Sequence, residues 1–145
     1  MIVRATAMDG AEVADLAIQM WSSHTAAELR GEFETLLSHS EAAVFLCRVD
    51  GKSVGFAQCQ LRHDYVEGTD SSPVGYLEGV FVETQYRKRG FGKALVDACE
   101  NWAKEQGCTE FASDCELENT QSLAFHLHSG FQEVNRVICF VRKIR

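Results

Sequence analysis

Two sets of residues in this 145-residue chain have the types and spacing to do chemistry. One is the basic run Arg87-Lys88-Arg89-Gly90-Phe91-Gly92-Lys93. Its two glycines let the backbone approach a ligand closely, and N–H groups at a helix start converge on one point. With Arg87, Lys88, Arg89 and Lys93 raising the local positive potential, the run reads as an anion site. The other set is the carboxylate pair Glu78 and Asp114. A primary amine is protonated at neutral pH, and only its neutral form attacks a carbonyl. Carboxylates that position the ammonium, with a route for its proton, therefore suit amine chemistry. Taken singly, each feature has a plainer reading: a glycine-rich turn, an exposed strand glutamate, a turn aspartate.

The elements that must position these residues are legible around them. Residues 76–83 read as a strand, with Tyr76, Val80 and Val82 alternating with Leu77 and Phe81, and Glu78-Gly79 interrupting it. Residues 93–106 place Leu95, Val96, Cys99, Trp102 and Ala103 on one helical stripe, and Gly107 stands where a C-terminal cap belongs. Spacing then excludes two phosphate loops. A Walker loop needs glycine where Arg87 stands and Ser or Thr where Ala94 stands, and a dinucleotide fingerprint needs glycine at Leu95. What remains is Arg87-x-x-Gly90-x-Gly92 between a strand and a helix.

Elsewhere, residues 2–5 form a short strand candidate. Asp9 and Glu12 read as a capping box for an amphipathic helix carrying Val13, Leu16, Ala17, Met20 and Trp21. Thr25 and Glu28 open a second helix with Leu29, Phe33, Leu36 and Leu37. Residues 42–49 and 54–63 are strands joined at Asp50-Gly51, and 67–73 is a loop holding the chain's only proline. A strand over 109–113, a helix over 119–129 ending at Gly130 and a last strand over 137–142 complete the order β-α-α-β-β-β-α-β-α-β. This is a mixed α/β fold, a largely antiparallel central sheet flanked by helices, in a single domain spanning 1–145.

Composition narrows the partners. Fourteen basic against 21 acidic residues leave a formal charge of −7, which argues against nucleic acid and anionic membrane; around a basic loop it suits a cationic second substrate, and its plainer reading is an aid to solubility. No apolar run is long enough to span a bilayer, and Arg4, Asp9 and Glu12 leave no room for a signal peptide. The six cysteines show no metal-ligand spacing and mostly fall in apolar patterns, as small buried hydrophobes in a reducing cytoplasm do. No metal is expected.

The loop Arg87-x-x-Gly90-x-Gly92, in its strand-to-helix setting, resembles the acyl-coenzyme A pyrophosphate loop of the GCN5-related N-acetyltransferase (GNAT) superfamily. That superfamily has this element order throughout, so the resemblance covers nearly the whole chain. It implies acetyl-CoA as cosubstrate, bound by Arg87 to Lys93 and by the backbone of Gly79, Val80, Phe81 and Val82, which pairs with the pantetheine arm like an added strand. A bulge at Glu78-Gly79 would aim a backbone N–H, that of Val80, at the thioester oxygen as the oxyanion donor. Downstream, Asn119 implies a cofactor contact and is also a plain helix N-cap. His126 stands where the family usually has the tyrosine that protonates the departing thiolate. An imidazole can donate a proton or serve structurally.

A finer resemblance lies in His63-Asp64-Tyr65-Val66-Glu67-Gly68-Thr69-Asp70-Ser71-Ser72-Pro73, Leu77-Glu78-Gly79 and Ala112-Ser113-Asp114. These look like one branch of the aminoglycoside 6′-N-acetyltransferases, which are homodimers. By that resemblance Glu78 and Asp114 hold the substrate ammonium groups, one acting as base directly or through water. Trp21, His24 and Tyr65 line the sugar rings; their plainer readings are core, linker and strand-edge residues. Where some members carry an acidic residue after Gly-Phe, this chain has Asn135. The alternatives are an N-acetyltransferase for another cationic amine, such as a polyamine or a protein lysine, and a non-catalytic acyl-CoA-binding domain.

Overall fold

In a computed structural model that describes residues 1–145, five strands form one sheet in chain order. They are β1 (Ile2–Arg4), β2 (Ala42–Val49), β3 (Lys52–Arg62), β4 (Val74–Val82) and β5 (Phe111–Ser113). β1 to β4 pair antiparallel and β5 runs parallel to β4, so the expected mixed, largely antiparallel sheet is present. The Asp50-Gly51 turn joining β2 and β3 has positive φ at both residues, which matches the strand twist.

The two faces of the sheet carry separate cores. Helix α3 (Phe91–Glu105) buries Leu95, Val96, Cys99, Trp102 and Ala103 against Ala43, Cys47, Ala57, Cys59, Leu77 and Val82. On the other face, α1 (Gly10–Ala17) and α2 (Ala26–Leu37) bury Val13, Leu16, Leu29 and Phe33 against Val44, Leu46 and Phe56. Trp21, just beyond α1, stacks on Phe33 at 6.3 Å and meets Phe56 edge-on at 6.0 Å. A fourth helix, α4 (Thr120–His128), follows β5 and packs Phe125 on the α3 core.

Several expectations are corrected. The first capping box lies one turn earlier, with Thr6 and Asp9 closing a 3₁₀ turn over Ala7–Asp9. Glu12 instead accepts hydrogen bonds from Arg48 and Ser53, tying α1 to the sheet. At the second box Thr25 caps Glu28 N–H, while the Glu28 carboxylate lies 3.6 Å from His24. Cys115 and Cys139 are exposed, unlike the four cysteines in the core. The expected final strand over 137–142 is not formed. Val137, Ile138, Phe140 and Val141 are 67% to 97% exposed, because no strand of this chain lies beside them and extended backbone needs a neighbour to satisfy its hydrogen bonds.

Candidate active site

The site begins at an irregularity in β4. Gln58 of β3 stands opposite Gly79 and Cys59 opposite Leu77, so Glu78 is an extra residue on the β4 side. A bulge of this kind reverses the face on which later side chains lie. Leu77, Val80 and Val82 therefore point to the α3 core, whereas Phe81 packs with the α1–α2 core. This corrects the simple alternation, which put Tyr76 on the same face as Val80. Gly79 sits at the kink because Trp21 fills the space there: a Cβ would meet Trp21 Cζ2 at 2.8 Å.

Directly at the bulge, β4 and β5 part. Their parallel pairing covers Gly75 to Leu77 against Phe111 to Ser113 and stops there. From Gly79 to Val82, β4 pairs with β3 on one side and with no strand on the other. A wedge opens between Glu78 and Asp114, lined by a β4 edge that pairs with no strand, and an extended ligand arm can pair along it.

The two carboxylates meet an environment that the sequence did not disclose. Both oxygens of Glu78 accept from Arg62, at 3.0 Å from Nε and 2.8 Å from Nη2. The Arg62 guanidinium also lies 3.4 Å from the Tyr76 ring centroid, and the Tyr76 hydroxyl donates to Asp114 Oδ2. Burial, followed by the hydrogen bond to Asp114, pushes the Tyr76 phenol far up, so it stays a donor at all ordinary pH. Arg62 and Tyr76 thus join the carboxylates into one chain of contacts, where the sequence suggested two free acids. One signal was available: Phe56, Gln58, Gln60 and Arg62 alternate along β3, and a row of polar side chains continuing an apolar face marks a lined site. On the same face, a cleft of about 310 Å³ beside α2 is lined by Glu32, His39, Glu41 and Gln60, with Tyr76 opposite Gln60 in register.

His126 comes from α4 to the mouth of the wedge. Its Nδ1 donates to the Ser122 carbonyl at 2.7 Å, and its Nε2 accepts from Ser113 Oγ at 2.8 Å, a hydroxyl that also lies 3.2 Å from the Leu77 carbonyl oxygen. The Nδ1 contact, to a group that only accepts, fixes the proton there and leaves Nε2 facing Ser113. Asn119 caps α4 by accepting from Ser122 N–H at 3.1 Å, which leaves its amide N–H₂ free.

The basic loop has the geometry of an anion cradle. Lys88 and Gly90 have φ of 62° and 84°, and α3 starts at Phe91 with no side chain capping its first N–H groups. Positive φ explains Gly90. Gly92 is explained by packing, since a Cβ would meet Phe125 Cε1 at 2.8 Å. The charges are used unevenly: Arg87 donates to the Val82 carbonyl at 2.7 Å, Arg89 lies over the Tyr86 ring, and Lys93 pairs with Asp97 at 3.0 Å.

Residues 11–131 match the acetyltransferase (GNAT) family. The chain belongs to that family. Among curated relatives, an aminoglycoside N(6′)-acetyltransferase type 1 of Stenotrophomonas maltophilia is 45% identical over 140 residues, which is 96% of this chain and 90% of that one. Another from Salmonella typhimurium is 44% identical over 125 residues, 86% of each chain. The solved structure of aminoglycoside N-acetyltransferase AAC(6′)-Iy in complex with CoA superposes with a TM-score of 0.96 at 38% identity, covering 99% and 95% of the two chains. The same enzyme with the bisubstrate analogue CoA-S-monomethyl-acetylneamine gives 0.95 at 38% identity, covering 99% and 98%.

Within this GNAT chain the structure gathers the expected residues unevenly. Glu78, Gly79, Val80, Phe81, Val82, Asp114 and His126 surround the wedge, and Trp21 closes it from the α1 side. His24 sits in the exposed turn before α2, paired with Glu28, and makes no contact with either carboxylate. Tyr65 lies in the loop after β3 and is 77% exposed.

Proposed function

We propose that the protein transfers acetyl from acetyl-CoA to the 6′-amine of an aminoglycoside, by direct attack in a ternary complex. The observation that carries this is the wedge between β4 and β5, with two carboxylates at its mouth and an uncapped helix start behind it. Acetyl-CoA fits it: the loop from Arg87 to Lys93 and the Asn119 amide would hold the phosphates, and the outer edge of Gly79, Val80, Phe81 and Val82 would pair with the pantetheine arm. The Val80 N–H would meet the oxyanion. Glu78 and Asp114 would hold the drug's ammonium groups, with Trp21, His24 and Tyr65 toward its rings. A proton reaching His126 Nε2 through Ser113 would be passed to the departing thiolate. Covalent transfer through the core thiols Cys47, Cys99 and Cys108 is disfavoured, since burial pushes Cys47 and Cys108 up and a hydrogen bond to Cys59 does the same to Cys99.

The partner reading extends to a second copy of the chain. The arm after Phe131 carries Val137, Ile138, Phe140 and Val141 uncovered, and β5 presents a free outer edge, so a homodimer would cover both. No helix is long and apolar enough to cross a membrane. A cytoplasmic setting is proposed with this, because acetyl-CoA and free buried thiols both belong there.

The test is thiol release from acetyl-CoA against kanamycin, tobramycin, a 6′-hydroxyl kanamycin, spermidine and a lysine-rich peptide. Turnover with the 6′-amino drugs alone supports the proposal. Turnover confined to spermidine or peptide would replace the substrate class, and acetyl-CoA binding without any turnover would make this a non-catalytic domain.

A further inference from the structure

We propose that Arg62 is a positioning residue for the transfer: its guanidinium holds Glu78 as a fixed anchor for the ammonium and, through the Tyr76 ring, aims Asp114 at the reacting amine. The inference rests on the acetyltransferase function proposed above and assigns unequal work to its two carboxylates.

The geometry is specific. Arg62 is the last residue of β3 and presents the planar edge of its guanidinium to both oxygens of Glu78, at 3.0 and 2.8 Å. A bidentate fork of this kind fixes the carboxylate plane, which a lysine ammonium cannot do. Glu78 needs such fixing because it is the extra residue of a bulge, with no direct cross-strand partner. The same guanidinium covers the Tyr76 ring at 3.4 Å and so holds the phenol that donates to Asp114. Arg62 is partly exposed and Glu78 less so, and a surface ion pair alone would contribute little. What makes this one different is that it ends on both groups the reaction needs.

A division of labour follows. Glu78, with both oxygens engaged by a permanent cation, is a poor acceptor for the amine's proton but a well-placed partner for an ammonium. Asp114 has one oxygen taken by the Tyr76 hydroxyl and Oδ1 left to receive the proton. The charged or titratable groups facing this corner are Arg62 from β3, Tyr76 and Glu78 from β4, and Asp114 after β5. His126 from α4 reaches it through Ser113, while His63 at the end of β3 is turned to Glu41.

Arg62→Gln, Arg62→Lys and wild type would be compared on the amine that wild type acetylates best, with melting temperature and acetyl-CoA affinity measured alongside. Arg62→Gln is expected to lower kcat roughly 10- to 100-fold, as misplaced groups do, at unchanged acetyl-CoA affinity. The loss should fall on kcat more than on the amine KM, because both carboxylates remain and only their aim is lost. Arg62→Lys keeps the charge and loses the fork, so kcat should be only partly restored. An Arg62→Gln variant with unchanged kcat, or one whose loss Arg62→Lys restores in full, would overturn the proposal. If wild type acetylates no amine at all, the function itself fails and this role with it; wild-type turnover with an unaffected variant overturns the role alone.

Discussion

The two halves of this site are built from different materials. The proposed cofactor half is backbone: a left-handed Gly90, an uncapped start of α3 and the outer edge of β4 beyond Leu77, which pairs with no strand. Its side chains are secondary, and three of its four cations already have partners within the chain. The proposed acceptor half is side chain: Arg62, Tyr76, Glu78 and Asp114 touch one another in series and come from three separate strands or their ends. A half made of backbone should tolerate loss of any one charge but not distortion of its path. A half made of a charged network should fail at any single member. The contrast also fits the ligands, since every acyl-CoA presents the same pyrophosphate and pantetheine, whereas amines differ in where their charges lie.

Four substitutions would break or sharpen that contrast. The largest effect is expected from Asp114→Ala, with kcat/KM for the amine down about 10³-fold, in the range for losing a general base, at unchanged acetyl-CoA affinity by calorimetry. A parallel fall in acetyl-CoA affinity would show that the halves are not separable. Next comes Tyr76→Phe, which removes the donor to Asp114 and should cost about 10- to 100-fold in kcat/KM, as hydrogen bonds to charged groups do. Because that phenol is pushed far above neutrality, the alkaline limb of the pH profile should not move; a displaced alkaline limb would mean Tyr76 itself titrates in the reaction. Gly90→Val comes third. A branched residue at φ 84° is strained by roughly 1–2 kcal/mol, so acetyl-CoA KM should rise about tenfold with the amine KM intact. The smallest effect belongs to Lys88→Ala, a rise in acetyl-CoA KM of about two- to fivefold that vanishes near 0.5 M salt, as expected for a single exposed charge at a helix start. A Lys88 effect larger than that of Gly90 would reverse the assignment of backbone and side chain.

Helix α3 and the loop before it were legible because their information is local. An apolar stripe at helical spacing, Gly107 with φ of 91° at its end and Gly90 at its start depend on residues a few positions apart. The bulge at Glu78 was legible as a possibility, from a glycine inside a strand. The parity reversal that it imposes on Phe81 was not, since that depends on which residue of β3 stands opposite. The misplaced first capping box has a similar cause: Asp9 and Glu12 have the right spacing, but Thr6 competes for Asp9, and Arg48 from a distant strand claims Glu12. At residues 137–142 the β-favouring, apolar composition pointed to a strand that does not form, since a strand exists only beside another strand.

By itself, then, the sequence determined the order of elements from the first strand to α4, the glycine-bearing basic loop before α3 and the two acidic residues near strand positions, because each is written in short-range spacing and residue type. Tertiary structure alone decided that Arg62, 16 residues before Glu78, would be its partner, and that Tyr76 would reach Asp114 across 38 residues. Such pairings follow from strand register and from the point where β4 and β5 part. Register is a property of two strands together, fixed by which faces are buried, and no stretch of one strand contains it.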